Sequence, residues 1–339
     1  MFSPKYSLSP KILENIAQSE RFYGKIESLR IPTKLELNLE RNNLLQSSYI
    51  SNSIEGNPLS LPEVTNLLLG DRIPVNRDEK EVKNYFEILK SLEKYKNVDL
   101  DVNLILEIHR TLLKGVKDNI AGNIRNKPII VGNYKTTMGE RLLSVKHNPP
   151  FHKKTQIECA INELIKWINT VNIPVIVETG IFHHQFVYIH PFEDGNGRVC
   201  RLITALLFIR KKYQINKYFV LDDYYDIDRK MYSDKLHSAD KGNKTEWLEY
   251  FTDGVKYSLQ SALGKHEKAI RDIKLSEKVT DREKEVIHLL QQKEELTSVT
   301  IAEKLRVSRQ QAHALLSSLV NKGFIGKKGK TKSSFYFIK

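Results

Sequence analysis

The stretch His190-Pro191-Phe192-Glu193-Asp194-Gly195-Asn196-Gly197-Arg198-Val199-Cys200-Arg201 decides how the rest of this chain reads. Gly195-Asn196-Gly197 lets backbone N–H groups approach a ligand closely. The apolar run that begins near Arg198 (Leu202, Ile203, Leu206, Leu207) reads as a helix offering its N-terminus to an anion. Arg198 and Arg201 share one face of its first turn and can both meet phosphate oxygens. Asp194, beside that nest, is placed to hold Mg²⁺ against the phosphates. His190 at the rim can take a proton from an incoming hydroxyl. Together these parts imply a nucleotide phosphate, a metal, and a base aimed at a second substrate. A zinc site from His183, His184 and His190 is the rival reading, but no cysteine cluster supports it. The chain has no GxxxxGK[ST] loop, which removes an ordinary P-loop ATPase.

Working outward, 339 residues suit two or three domains. With 40% apolar and 28% charged residues, the chain is not a mainly disordered one. No apolar run approaches a membrane span, Leu202 to Ile209 being about the longest, and the N-terminus lacks the apolar stretch of a secretory signal. Cys159 and Cys200 cannot form a disulfide framework. These features lead us to expect a cytoplasmic protein without membrane partners. The net charge of +13 is unevenly spread: residues 304–339 hold nine of the 54 Lys/Arg and none of the 41 Asp/Glu, leaving +4 on the rest. Such a tail is expected where an appended module meets a polyanion.

Helical patterning runs from residue 8 to about 95, interrupted by a breaker cluster at Gly56–Pro62. Another helix is expected over Asn103–Leu113, a short strand or hairpin around Ile129, Ile130 and Val131, and a helix over Gln156–Ile168. Two further helices flank the His190–Arg201 segment. Lys265 to Lys278 reads as a charged connector. Beyond it, Thr280 and Glu283 form a capping-box pattern, Ser308 can N-cap a later helix, and Gly323 suits the left-handed position after it. Phe324-Ile325 and Phe335–Ile338 read as strands around a basic tip at Lys327, Lys328 and Lys330. This order resembles a winged helix-turn-helix with Arg309, Gln310, Gln311 and His313 facing outward from the recognition helix. Such modules bind DNA or mediate protein contacts. The expected domains are a helical region over 1–95, a core over 96–262 and the winged helix over 277–339.

The central stretch resembles the Fic family, whose signature is HPFx[D/E]GNGRxxR, with every fixed position present. His183, Phe186 and Ile189 fit the family's run-in helix. Gly122, Arg125, Ile129, Val131 and Gly132 fit its flap, and Asn148-Pro149-Pro150 fits the element that follows. The resemblance covers roughly residues 30 to 255. It implies a mainly α, Fic-type helical core with a short β-hairpin flap, and a protein adenylyltransferase. His190 would be the general base that deprotonates a Ser, Thr or Tyr hydroxyl of a target protein, which could be another copy of the chain, with oligomers left open. That hydroxyl would attack the α-phosphate of ATP, giving an AMP-protein and pyrophosphate. Asp194 would hold Mg²⁺; Gly195, Asn196, Gly197 and Arg198 would form the anion hole, and Arg201 would pair with the γ-phosphate. The flap near Ile129–Asn133 would pin the target as an added strand beside the site, with Val131 and Gly132 also at the nucleotide. Phe192 reads as a buried anchor and Cys200 as a packing residue. Tyr232 and Asp240 would contact adenine, although Ser233 stands where relatives often have a second Tyr, which leaves another nucleotide open.

Ser51-Asn52-Ser53-Ile54-Glu55-Gly56 matches the family's inhibitory [S/T]xxxE[G/N] pattern. Gly56 and Pro58 place Glu55 at a helix C-terminus, where its carboxylate faces the negative end of the dipole and needs a cation. By resemblance that cation is Arg201, and the pair would keep it from the γ-phosphate; Ser51 belongs to the same motif. Competing readings are a transcriptional regulator whose core only senses nucleotide, transfer of another nucleotide or phosphate group, and removal of AMP.

Overall fold

The computed structural model describes residues 2–70, 72–137, 140–292, 295–329 and 334–338. They form two compact units, Met1–Gly264 and Lys265–Lys339. The first is helical: α1 (Pro10–Ser28), α2 (Thr33–Ile54), α3 (Leu61–Leu69), α4 (Arg77–Ser91) and α5 (Val102–Leu113) precede the hairpin β1 (Val131–Thr137) and β2 (Glu140–His147). Then follow α6 (Lys154–Thr170), α7 (Val175–Ile189), α8 (Asn196–Arg210), α9 (Ile215–Tyr218), α10 (Asp222–Ile227), α11 (Arg229–Ser238) and α12 (Thr245–Lys278), whose residues from Lys265 onward count in the second unit. Among the described residues, no helix is long and apolar enough to cross a membrane.

Local chemistry sets the boundaries. The Asn76 and Asp101 side chains accept from Glu79 N and Leu104 N, capping α4 and α5. Ser60 and Glu63 form the capping box of α3. Helices α7 and α8 are buried on nearly every face (Ile176, Ile181, Phe182, Phe186 and Ile189 on one; Val199, Leu202, Ile203, Leu206 and Phe208 on the other). Helices that are apolar all round belong in the middle of a core, and the other helices wrap this pair. The loop between them is the segment His190–Gly195, so this short stretch joins the two most buried helices among the described residues.

Helix α2 has a different inner face. Ser47, Ser48, Ser51 and Asn52 are buried beside Leu44, Leu45 and Ile50. The four-residue spacing of Ser47, Ser51 and Glu55 puts them in one stripe. Strand β1 begins at Val131, so Ile129 and Ile130 precede it rather than forming it. It pairs antiparallel with β2, and the register slips between Val131, opposite His147, and Gly132, opposite Val145.

The second unit contains α13 (Asp281–Gln292), β3 (Leu296–Thr297), α14 (Ser298–Leu305), α15 (Arg309–Asn321), β4 (Ile325–Lys328) and β5 (Phe335–Ile338). The three strands form one antiparallel sheet in the order β3-β5-β4. Glu283 accepts from Thr280 N, and Ser308 with Gln311 forms a capping box on α15. Gly323 has φ +81°. Val286, Leu290, Ile301, Ala312, Leu316, Leu319 and Ile325 make its core. The charged stretch 265–278, read above as a connector, is helical and belongs to α12. A charged run with alternating signs is compatible with a solvated helix, and composition alone does not distinguish that from coil.

Candidate active site

His190 ends α7 in the left-handed conformation, φ 51° and ψ 65°. A non-glycine residue held there costs on the order of 1 kcal/mol and needs support from its surroundings. Arg125 supplies it. Its Nε donates to His190 O at 2.7 Å, its Nη2 to Ile189 O at 3.2 Å, and its backbone N to Pro191 O at 3.0 Å. A buried guanidinium therefore satisfies the last carbonyls of α7 and fixes the direction of the catalytic-candidate ring. His190 Nδ1 lies 3.2 Å from Val187 O. The carbonyl only accepts, so Nδ1 carries the hydrogen and Nε2 keeps its lone pair. Burial pushes the imidazole down to about 4, leaving it neutral at neutral pH, with the Nε2 lone pair able to take a proton.

The loop after His190 is tied internally. Asn196 Oδ1 accepts from Phe192 N at 2.9 Å, and Asn196 Nδ2 donates to Phe192 O at 2.8 Å. Phe192 is fully buried and stacks on His109, with ring centroids 3.7 Å apart. His109 in turn accepts from Gly122 N and lies 3.1 Å from Asp194 O. Gly195, at φ +80°, makes the turn into α8. Asn196 is thus engaged with its own loop through its side chain.

Asp194 forms an ion pair with Lys117 and lies 3.3 Å from Arg198 Nη2, and its Oδ1 accepts from Gly195 N at 2.6 Å. Burial opposes its charge, but Lys117 and Arg198 outweigh burial and hold the carboxyl below the usual carboxylate range. An ionised, partly exposed carboxylate already facing a cation fits a Mg²⁺ ligand. Arg198 is almost fully buried, with Nη1 donating to Glu81 Oε2 at 2.9 Å.

Arg201 is met by α2. Its Nε donates to Ser51 Oγ at 2.7 Å, and its Nη2 donates to Ser51 O at 2.9 Å and to Glu55 Oε1 at 2.7 Å. Burial works against the guanidinium charge, yet Glu55 first, then Tyr232 and Asp222, raise its pKa above the ordinary value. Glu55 caps the C-terminus of α2, and a Cβ built on Gly197 would collide with its Oε1. The carboxylate therefore leaves the negative end of one helix and rests on the first turn of α8, the positive end of another.

Other expected residues lie elsewhere. Tyr232 is buried beneath Arg201, its hydroxyl 2.8 Å from His183 Nε2 and its ring stacked on Tyr225. Asp240 is bound to His147, His184 and His237. His183, His184 and His190 do not converge: His183 bonds Thr204 and Tyr232, and His184 bonds Asp240 and Lys244. Cys200 is fully buried in α8. Val131 and Gly132 are half-buried at the start of β1. In the second unit Arg309, Gln310, Gln311, His313, Lys327 and Lys328 are exposed. Lys330 lies outside the described residues.

Sequence reasoning missed Glu81, His109, Lys117 and His147, which hold Arg198, Asp194 and the end of β2. Each lies on a separate element tens of residues from the signature. The only advance signal was a polar residue on an apolar helix face, as His109 is on α5. It also missed Arg229, which donates to Ser53 O and Ser53 Oγ at 2.9 Å and so brings a cation to the C-terminus of α2.

The chain is similar to known proteins. Residues 99–208 match the model of the Fic/DOC family. The protein adenylyltransferase fic-1 of Caenorhabditis elegans is 27% identical over 228 residues, 64% of this chain and 40% of that relative. The protein adenylyltransferase Fic of Aedes aegypti is 28% identical over 269 residues, 74% of this chain and 48% of its own length. The chain thus spans less than half the length of these relatives. Among solved structures, a Fic family protein from Desulfovibrio desulfuricans aligns over 100% of this chain and 98% of its own, with TM-score 0.64 and 23% identity. A fragment of C. elegans Fic-1 aligns over 76% of this chain and 73% of its own, with TM-score 0.60 and 22% identity. The mostly helical fold is shared with both. The signature loop, its histidine and its two arginines sit inside residues 99–208, the segment that is similar to the Fic/DOC family.

Proposed function

We propose that the chain is a protein adenylyltransferase held in a restrained state by Glu55. The observation that carries this reading is the Glu55 carboxylate, 2.7 Å from Arg201 and lying over the first turn of α8, where a phosphate would otherwise bind. His190 Nε2 takes the proton of a target Ser, Thr or Tyr hydroxyl. The hydroxyl oxygen bonds to the α-phosphorus of ATP, the bond from that phosphorus to the β-phosphate bridging oxygen breaks, and pyrophosphate leaves. Backbone N–H groups of Asn196 to Arg198, at the start of α8, would meet the phosphates, and Arg201, once free of Glu55, would pair with the γ-phosphate. Mg²⁺ on Asp194 would neutralise phosphate charge. A neutral His190 supports a base rather than a bare nucleotide sensor. The exposed basic face of α15 and β4 supports reading the second unit as a winged helix-turn-helix that recruits an acidic partner, DNA included. The absence of a spanning helix among the described residues agrees with a cytoplasmic setting.

The test is incubation of wild type, Glu55→Gly and Glu55→Gly/His190→Ala with Mg²⁺ and α-phosphate-labelled ATP. Protein-bound label in the single variant, absent from the double, is the expected result. No label in any variant, with lysate supplied as target, overturns the reading.

A further inference from the structure

Beside the candidate active site, the end of β2 meets α11 in a histidine–carboxylate cluster that the transfer reaction does not use. His147 Nδ1 lies 2.7 Å from Asp240 Oδ2, and His237 Nδ1 lies 3.1 Å from the same oxygen. The two imidazoles stack at 5.0 Å, and one ligand atom from each of the three residues falls within a 4.8 Å span. His147 is buried.

The hydrogen positions are constrained. His147 Nε2 is 3.0 Å from Tyr188 O, an acceptor, so Nε2 carries the hydrogen of the neutral ring. Its Nδ1 lone pair then points at a carboxylate oxygen 2.7 Å away, a contact that either a second ring proton or a metal ion resolves. His237 Nδ1 brings a further donor to that point. The supporting shell is also in place. Asp240 Oδ1 lies 2.9 Å from His184 Nε2, and Lys244 Nζ donates to His184 Nδ1 at 2.6 Å, which puts the His184 hydrogen on Nε2, toward Asp240. A ligating histidine whose other N–H is given to a backbone carbonyl, and a ligating carboxylate held by an outer hydrogen bond, are the supports that metal sites use.

We propose that His147, His237 and Asp240 bind one divalent first-row transition ion, with Zn²⁺ as the probe. Two imidazoles and one carboxylate suit such an ion better than Mg²⁺, which prefers oxygen ligands. Bond lengths of about 2.0–2.2 Å put tetrahedral ligand atoms about 3.3 Å apart, so the two imidazole–carboxylate separations of 2.7 and 3.1 Å would have to lengthen by about half an ångström or less. Three protein ligands leave a fourth position for water. The ion would tie the end of the hairpin to α11 and to the 3-10 turn Ala239–Lys241, close to His190, whose ring centroid is 6.2 Å from that of His147. This inference is independent of the adenylyl-transfer reading.

The experiment uses the full chain, stripped with a chelator and titrated with Zn²⁺ alone at pH 7.5 against a competing chelator, with Zn K-edge X-ray absorption on the product. His237→Ala and Asp240→Asn are compared with His152→Ala, a change at an exposed histidine outside the cluster. About one ion per chain is expected, with imidazole scattering in the spectrum, an affinity lowered at least tenfold in the two cluster variants, and no change in His152→Ala. Failure to take up zinc at micromolar free ion overturns the proposal and leaves a proton between His147 and Asp240. Uptake that survives both cluster variants also overturns it, because the zinc is then held elsewhere.

Discussion

Glu55 Oε1 lies 2.7 Å from Arg201 Nη2 although 146 residues of chain separate them. The arginine is buried, with 3% of its side chain exposed, and the glutamate is one-third exposed. The carboxylate is therefore the movable member of the pair, and the guanidinium is the one that cannot do without a partner.

Replacing Glu55 by Gly should remove the carboxylate bonded to Arg201, leaving it Ser51 and the nearby Tyr232 and Asp222, and lower stability by about 1–3 kcal/mol. ATP with Mg²⁺ should restore more of that loss in the variant than it adds to wild type, because its phosphates answer the freed guanidinium. Thermal unfolding of both proteins with and without nucleotide measures this. An equal shift in the two would show that Glu55 and nucleotide do not compete.

Gly197→Ala should be coupled to Glu55. The added methyl group meets the carboxylate oxygen, so its cost is that of displacing Glu55 from Arg201, about 1–2 kcal/mol. In the Glu55→Gly background most of this cost should vanish. A double-mutant cycle by urea denaturation reads the coupling directly, and additive losses would contradict the packing described here.

Glu81→Ala removes the partner of an arginine that is buried to the same degree. Arg198 would keep only Asp194, 3.3 Å away and shared with Lys117. The expected loss is about 3 kcal/mol, since removing one member of a buried pair strands the other charge. Equilibrium unfolding measures it, and a loss below about 1 kcal/mol would mean that water reaches Arg198.

Acid should weaken the fold through His109, which is fully buried and pushed down to about 4, chiefly by burial, with Asp194 partly offsetting it. The unfolded chain binds this proton near pH 6.5 and the folded chain only near 4, so stability falls as pH drops from 6.5 toward 4. At pH 5 the linkage amounts to about 2 kcal/mol. The difference in unfolding free energy between pH 7.5 and pH 5.0 should shrink by about that amount in His109→Phe. Activity has its own signature: with His190 also near 4, kcat/KM should show no inflection around pH 6.5.

Much of this was legible in the chain. The segment 190–201 stated a phosphate nest, a base and two arginines, and the caps at Thr280 and Ser308 marked helix starts from local hydrogen-bonding rules alone. Glu55 was legible as a carboxylate on the wrong end of its helix, because Gly56 and Pro58 fix where α2 stops. The strand start at Val131, the short strand β3 and the helical state of 265–278 were not legible. Strand pairing depends on a distant partner, and a charged run carries no apolar period to count.

The amino-acid order by itself determined the reactive loop and the helices on both sides of it, since glycine freedom, capping and apolar periodicity act over a few residues. Only the tertiary structure decided which groups answer those charges. Arg125 holds His190, His109 holds Asp194, Glu81 holds Arg198, and the Ser47–Ser51–Glu55 stripe meets Arg201. Each of these pairs closes a loop of tens to more than a hundred residues. What brings the partners together is the burial of α7 and α8 in one core, which no local rule encodes.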